Sequence, residues 1–376
     1  MNNSLLRRLA IAATLLALVV IIFGAFVRLS NAGLSCPDWP TCYGQIAWPK
    51  ADHEVAAANA SFERAVEIHK AWREQFHRHL AALLGFLVFV IALVAARHRK
   101  LGWVPIVIAA LLVAVSIPLY IKQQYLAAIV LAAFGELLLL WTAVRWKQQG
   151  YARLANTLLM VIVFQALLGM WTVTWLLKPI VVMAHLLGGL TTFALLAWLS
   201  LRLSGIGSEI PEALPKRALV VVGIALLAIQ IALGGWTSAN YAAWACGTDF
   251  PKCLDQWWPL ADYREGFVLW RGIGVDYEGG VLDGPARTAI QMTHRIFAVF
   301  VTGHLLMLAI KLSRQVALRG YGIALLLALS AQLALGIANV KYGLPLHVAV
   351  AHTAGAALLL LVMVALLARL TPRQHA

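Results

Sequence analysis

Ten long apolar runs most constrain how this chain can fold. Each is close to the roughly 20 residues that a helix needs to cross the hydrocarbon core of a bilayer. The chain is 62% hydrophobic and 12% charged, unlike ordinary soluble domains. We therefore predict an all-α polytopic membrane protein. The predicted transmembrane helices span residues 9–29, 79–96, 103–121, 124–146, 155–176, 180–201, 217–236, 289–310, 318–338 and 345–368.

The basic residues indicate how the helices are oriented. The net charge is +14, and the basic residues gather in short loops on alternate sides of the predicted helices. Such loops stay in the cytoplasm, so the charge requires no nucleic-acid partner. We predict a bacterial inner-membrane protein surrounded by lipid, with both termini cytoplasmic and residues 30–76 and 237–288 on the outer face. The basic clusters are Arg7/Arg8, Arg97/Arg99/Lys100, Arg145/Lys147/Arg153, Arg202/Lys216/Arg217, Lys311/Arg314/Arg319 and Arg369/Arg373.

All four cysteines fall in the two outer segments. In an oxidising compartment, cysteines that are close in sequence favour disulfides, and short loops favour closure within each pair. We predict one disulfide between Cys36 and Cys42 and another between Cys246 and Cys253. A structural staple and a redox role both remain open for these pairs.

An internal repeat divides the chain into two halves. Four landmarks recur in the same order: a cysteine pair, a His-Arg step, a Gln-x-x-x-Gly motif and a histidine 20 residues after that glutamine. The two landmark histidines are 108 residues apart in the first half and 58 in the second. The surplus is enough for two helices. We predict two pseudo-symmetric four-helix bundles in a parallel repeat, residues 1–205 and 206–376, with a two-helix hairpin inserted at about residues 101–146.

Four of the eleven histidines recur in register: His77, His185, His294 and His352. We expect His77 and His294 at the starts of their helices, and all four histidines at one depth in the outer leaflet. Histidines at one depth on two helices of a bundle can ligate heme iron on both axial sites. A single buried histidine more often bonds to a neighbouring helix, but a repeated pair favours one heme in each bundle. His347, near His352, points to a different helix face.

The halves differ just before the His-Arg step, where the first has Glu74 and the second has Gln291. Glu74 lies one turn from His77, within reach of a heme bound there. Its carboxylate can act as a general base or stabilise developing positive charge; the alternative is a water-exposed interfacial glutamate. Arg78 and Arg295 can pair with heme propionates or anchor the membrane interface.

Together these motifs resemble the heme A synthase family over nearly the whole chain. Family members have paired four-helix bundles, of which the C-terminal one holds heme b as cofactor and the N-terminal one holds heme O as substrate. The motifs that carry the resemblance are Cys36-Pro-Asp-Trp-Pro-Thr-Cys42, Glu74-Gln-Phe-His77-Arg78, residues 165–173, His185, Tyr277-Glu-Gly-Gly280, His294-Arg295 and His352.

The resemblance assigns roles to individual residues. It implies that His294 and His352 ligate heme b, that His77 and His185 ligate the substrate heme, and that Glu74 acts in catalysis. The first cysteine pair matches the family's outer-loop disulfide.

The implied reaction oxidises a ring methyl group of heme O to the formyl group of heme A. It passes through a hydroxylated intermediate, takes oxygen from water and gives electrons to an acceptor. A heme O synthase, that acceptor and further copies of this chain are the candidate partners. The hairpin at 101–146 departs from the family's eight-helix pattern, and we expect it to lie away from the four histidines.

Rival functions remain. A diheme b-type electron carrier also needs two histidine pairs, but it stacks its hemes across the bilayer. A thiol oxidase would leave the buried histidines unexplained, and neither half has the broken helices of a transporter.

Overall fold

A computed structural model describes residues 3–146, 150–207 and 214–372. Within these ranges, ten helices are long and apolar enough to span a membrane, which confirms the predicted fold class. The predicted basic residues Lys147 and Arg373 lie outside the described residues. The helices are α1 (Ser4–Leu29), α2 (Asp52–Ser61), α3 (Ile68–Ala96), α4 (Trp103–Ile121), α5 (Tyr125–Arg145), α6 (Ala152–Thr174), α7 (Pro179–Leu203), α8 (Leu214–Ala239), α9 (Tyr263–Gly266), α10 (Gly284–Ser313), α11 (Arg319–Lys341) and α12 (Leu346–Leu370).

Three helices, α1, α3 and α10, begin five or more residues before the apolar runs that predicted them. Helix α3 starts at Ile68, before residue 79, and α10 starts at Gly284, before residue 289. His77 and His294 therefore lie well inside their helices, and the prediction that they open them was wrong. Hydropathy does not detect a polar first turn, because such a turn contains no apolar run. Its polar side chains bind other parts of the protein.

Eight of the ten spanning helices of the described residues form two closed rings. Helices α1, α3, α6 and α7 contact one another in a ring, as do α8, α10, α11 and α12. The rings meet through contacts of α1 with α12, α7 with α8 and α7 with α12. Helices α4 and α5 form a hairpin that packs on α6 and α3. The division at residues 205/206 stays a prediction.

Arginines bond across the junction of the rings at both ends. Arg28, at the end of α1, donates to the Tyr241 hydroxyl at 2.9 Å and to the Ser238 carbonyl at 2.7 Å. At the opposite end of the rings, Arg202 of α7 donates to the carbonyl of Thr371 at 3.1 Å. Its guanidinium thereby satisfies backbone acceptors that the end of α12 leaves free.

Candidate functional site

Each of the four repeated histidines packs against a glycine on a neighbouring helix. A methyl group on Gly24 would lie 2.8 Å from the imidazole Cε1, and on each of the other three glycines 3.1 Å from it. Any larger residue would push the ring away, so the glycines set where each imidazole lies. The pairs are Gly24 with His77, Gly169 with His185, Gly234 with His294 and Gly336 with His352.

The histidines fall into the two groups that the repeat predicts. His77 lies on α3 and His185 on α7, whereas His294 lies on α10 and His352 on α12. His77 and His185 belong to the first ring, whereas His294 and His352 belong to the second. Each ring therefore brings two imidazoles together from two helices.

Glutamines hold three of the four imidazoles. The Nε2 of Gln165 lies 3.0 Å from Nδ1 of His185, and the Nε2 of Gln230 lies 3.1 Å from Nδ1 of His294. Gln332 lies 3.4 Å from Nε2 of His352. Rotation of such an amide can turn its Oε1 towards an Nδ1–H, which is the bond that orients a metal-bound histidine.

Gln230 was missed by the sequence reasoning, although a signal was present. Gln230 precedes Gly234 in a third Gln-x-x-x-Gly motif, matching the motifs on α6 and α11. Helix α1 has Val20 at the corresponding position before Gly24. Accordingly, Nδ1 of His77 is buried without a hydrogen-bond partner among the described residues.

Glu74 is buried, so the alternative interpretation of Glu74 as a water-exposed interfacial glutamate was wrong. Only 4% of the residue is exposed. Its Oε1 accepts from Nη2 of Arg78 at 2.6 Å, while its Oε2 accepts from the Cys36 amide at 2.9 Å and from the Ser35 hydroxyl at 3.1 Å. The carboxylate is thus fixed between α3 and the first cysteine loop.

Arg78 and Arg295 each donate hydrogen bonds to backbone carbonyls of the cysteine loop in their own half. Arg78 donates to the carbonyl of Asp38 at 2.8 Å. Arg295 donates to the carbonyls of Asp249 at 3.0 Å and Lys252 at 2.9 Å. The Nε and Nη2 of Arg295 are buried with no partner in the described part of the chain, and Gln291 stands where Glu74 accepts from Nη2 of Arg78 in the first half. These nitrogens are free donors for an anionic group such as a propionate.

Both predicted disulfides are present. Cys36 is bonded to Cys42, and Cys246 to Cys253. Each loop also closes with an isolated bridge from its second cysteine to a glutamine three residues on. The loops lie against the N-terminal parts of α3 and α10, where they bind Arg78 and Arg295 of the His-Arg steps. A redox role stays a prediction.

One cavity of about 1460 Å³ is lined by all four histidines, Glu74 and both arginines. Its remaining lining is mostly apolar, which suits a large flat ring system. Residues of the hairpin, among them Ser116, Tyr120 and Ala132, also line the cavity. The hairpin, which we expected to lie away from the histidines, therefore lines the same cavity as they do. The hairpin folds back onto α3 and α6, a contact that hydropathy does not reveal.

The described residues fit heme. Glycines make room for the four imidazoles, Nδ1 of His77 and of His352 and two nitrogens of Arg295 are buried without a partner among the described residues, and one cavity reaches both histidine pairs. Fold and site together define a multi-pass helical membrane protein with a histidine pair in each of two bundles.

The chain belongs to the COX15-CtaA family of cytochrome oxidase assembly proteins, whose pattern matches residues 7–117 and 123–364. It is 37% identical to the heme A synthase of Shewanella oneidensis, over 97% of this chain and 95% of that protein. It is 28% identical to the heme A synthase of Rhizorhabdus wittichii, over 95% of this chain and 91% of the relative. The heme A synthase of Sphingopyxis alaskensis is 28% identical over 96% of this chain.

Proposed function

We propose that this protein is a heme A synthase, an oxidoreductase that converts heme O to heme A. It oxidises a ring methyl group to a formyl group through a hydroxylated intermediate, with oxygen from water and electrons passed to an acceptor. The observation that carries the proposal is the buried Glu74 beside the His77 and His185 pair, in a chain similar to heme A synthases over 97% of its length.

The two halves of the chain bind different hemes. Residues 206–376 hold heme b through His294 and His352, and this heme supplies one-electron redox chemistry when bound. Residues 1–205 hold heme O through His77 and His185. A buried Nδ1 without a partner in each half, on His77 and on His352, supports iron ligation in both halves, because ligation needs a neutral ring nitrogen.

Glu74 distinguishes the half that does the chemistry. Its carboxylate faces the cavity beside His77 and is oriented by Arg78 and the Cys36 amide. A carboxylate held in this way needs little reorganisation when positive charge or a proton develops on the substrate. Gln291 at the matching position carries no charge, so the second half binds heme without reacting with it.

The arginines contribute differently. Arg295 offers unpartnered Nε and Nη2 to a propionate of heme b. Arg78 has its Nη2 bound to Glu74 and acts mainly by orienting that carboxylate. The Nη1 of Arg78 donates to the carbonyls of Asp38 and Thr41, which leaves its Nε as the donor for a propionate.

The protein lies in the bacterial inner membrane with its ends on the cytoplasmic side, which the basic short loops support. Its substrate requires a heme O synthase upstream, and its electrons require an acceptor. A diheme electron carrier is the alternative, and the named relatives do not favour it.

Heme analysis of cells tests the proposal. In cells lacking the protein, we expect heme O to accumulate and heme A to disappear, and expression of the chain should restore heme A. Normal heme A in the deletion strain would overturn the proposed function.

A further inference from the structure

The α4–α5 hairpin gives the first bundle a wall without a counterpart among the described helices of the second bundle. The helices that carry the histidine pairs are arranged alike in both rings, but within the described ranges the additional helix pair belongs to the first ring, where it packs on α3 and α6. Val113 and Ile117 of α4, with Ala132 of α5, turn an apolar face into the cavity that contains His77 and His185. The hairpin therefore extends the cavity on the side of the first ring.

The hairpin is held firmly in this position. The amide of Asn156 on α6 is fully buried, and its Nδ2 donates to the Leu139 carbonyl and the Thr142 hydroxyl of α5, each at 2.8 Å. Loss of a buried hydrogen bond between helices would leave polar groups unsatisfied in an apolar environment. The wall is thus a fixed part of the bundle.

Aromatic rings close the outer end of this wall. The ring of Tyr120 packs edge-on against Trp39, with centroids 6.2 Å apart, and against Tyr125 at 5.4 Å. Trp39 lies within the first cysteine loop, the loop whose Cys36 amide binds Glu74. Both Trp39 and Tyr120 line the cavity. The hairpin is thereby joined to the same loop that fixes the candidate catalytic carboxylate.

The two proposed hemes differ in a way that matches this asymmetry. Heme O carries a long isoprenoid chain on its ring, whereas heme b has none. An apolar chain gains free energy when it leaves water and packs against apolar side chains. A heme without such a chain needs no additional wall.

We propose that the hairpin wall of α4 and α5 receives the isoprenoid chain of the substrate heme and thereby selects heme O over heme b in the first bundle. This inference rests on the proposed function, because that function assigns heme O to His77 and His185. The wall acts as a specificity determinant and takes no part in the oxidation itself.

A pair of neighbouring alanines provides the test. Ala132 lines the cavity, whereas Ala133 is exposed on the outside of the same helix and does not line it. Ala132→Trp fills the wall, and Ala133→Trp is the matched control. Heme O and heme b are titrated separately into purified full-length protein whose second bundle already carries heme b, and binding is followed by absorbance.

We expect Ala132→Trp to weaken heme O binding by about tenfold or more, because the indole ring occupies space that the isoprenoid chain needs. Binding of added heme b to the first bundle should change by less than about twofold, and Ala133→Trp should match the wild type for both hemes. The absorbance of the resident heme reports folding. If Ala132→Trp loses that signal, Ala132→Leu takes its place with the same expectation.

Unchanged heme O binding, or equal weakening for both hemes, would overturn the proposal. The titration needs no turnover, so its result is separate from that of the proposed function. If the wild-type protein makes no heme A but Ala132→Trp weakens the binding of heme O alone, the proposed function is wrong. The proposal that the hairpin wall binds the isoprenoid chain is then retained.

Discussion

Nη2 of Arg78 lies 2.6 Å from Oε1 of Glu74, one helical turn away on α3. Both side chains are largely buried, with 12% and 5% of their surfaces exposed. The second Glu74 oxygen accepts from the Cys36 amide. One carboxylate thus connects α3, the first disulfide loop and the cavity that holds His77.

We expect Glu74→Gln to abolish turnover while leaving heme bound. Glutamine keeps the shape and recreates the residue at Gln291, but it removes the charge and the base. Loss of a positioned acid or base lowers the rate by about 10²–10⁴-fold. The measurement is the ratio of heme O, hydroxylated intermediate and heme A extracted from membranes.

The matched control for this prediction is Glu67→Gln, because Glu67 pairs with Lys70 at the surface outside the cavity. That variant should make heme A normally. A wild-type proportion of heme A in Glu74→Gln would show that the carboxylate has no catalytic role.

Replacement of His294 or His352 by alanine should remove the resident low-spin heme of the second bundle. Iron that loses one axial ligand becomes five-coordinate and is held more loosely. His347 is exposed on another face of the same helix as His352, so His347→Ala is the control and should keep its heme. The measurement is the absorbance spectrum of each purified variant. A normal bis-histidine spectrum in both ligand variants would refute the assignment of His294 and His352 as heme ligands.

Gly234→Val should displace His294 and lower the heme content of the second bundle. A Cβ at this position would lie 3.1 Å from the imidazole Cε1, and valine adds two further methyl groups. Such overpacking costs about 1–3 kcal/mol. Gly303→Val on α10 is the control, since a Cβ there meets nothing within 4 Å. Equal heme-to-protein ratios in the two variants would contradict the idea that the glycine positions the ligand.

Gln230→Val should raise the reduction potential of the heme ligated by His294. In the heme-bound protein, the Gln230 amide can accept from Nδ1–H of that histidine, which makes the ligand more basic and favours ferric iron. We expect an upward shift on the order of tens of millivolts, where 59 mV is a factor of ten for one electron. Gln315→Val, in the loop after α10, is the control. An unchanged or lowered potential in a redox titration of Gln230→Val would exclude this tuning role.

The sequence by itself determined the membrane class, the number of spanning helices and the two disulfides. These features depend on local quantities: the length of an apolar run and the short loop between two cysteines. The repeat also singled out four histidines, because equal spacing in two halves requires no knowledge of contacts. Gln230 was overlooked because its motif has no counterpart in the first half, where Val20 of α1 stands at the matching position.

Only the tertiary structure decided what surrounds those residues. The early start of α3, the buried ion pair of Glu74 with Arg78, and the cavity face of the α4–α5 hairpin all depend on segments far apart in sequence. Hydropathy places a helix in the membrane but does not say which of its faces meets lipid and which meets protein. A buried polar group such as the Glu74 carboxylate is stable only when other segments of the chain supply its hydrogen-bond partners. Those partners are brought together by the tertiary structure.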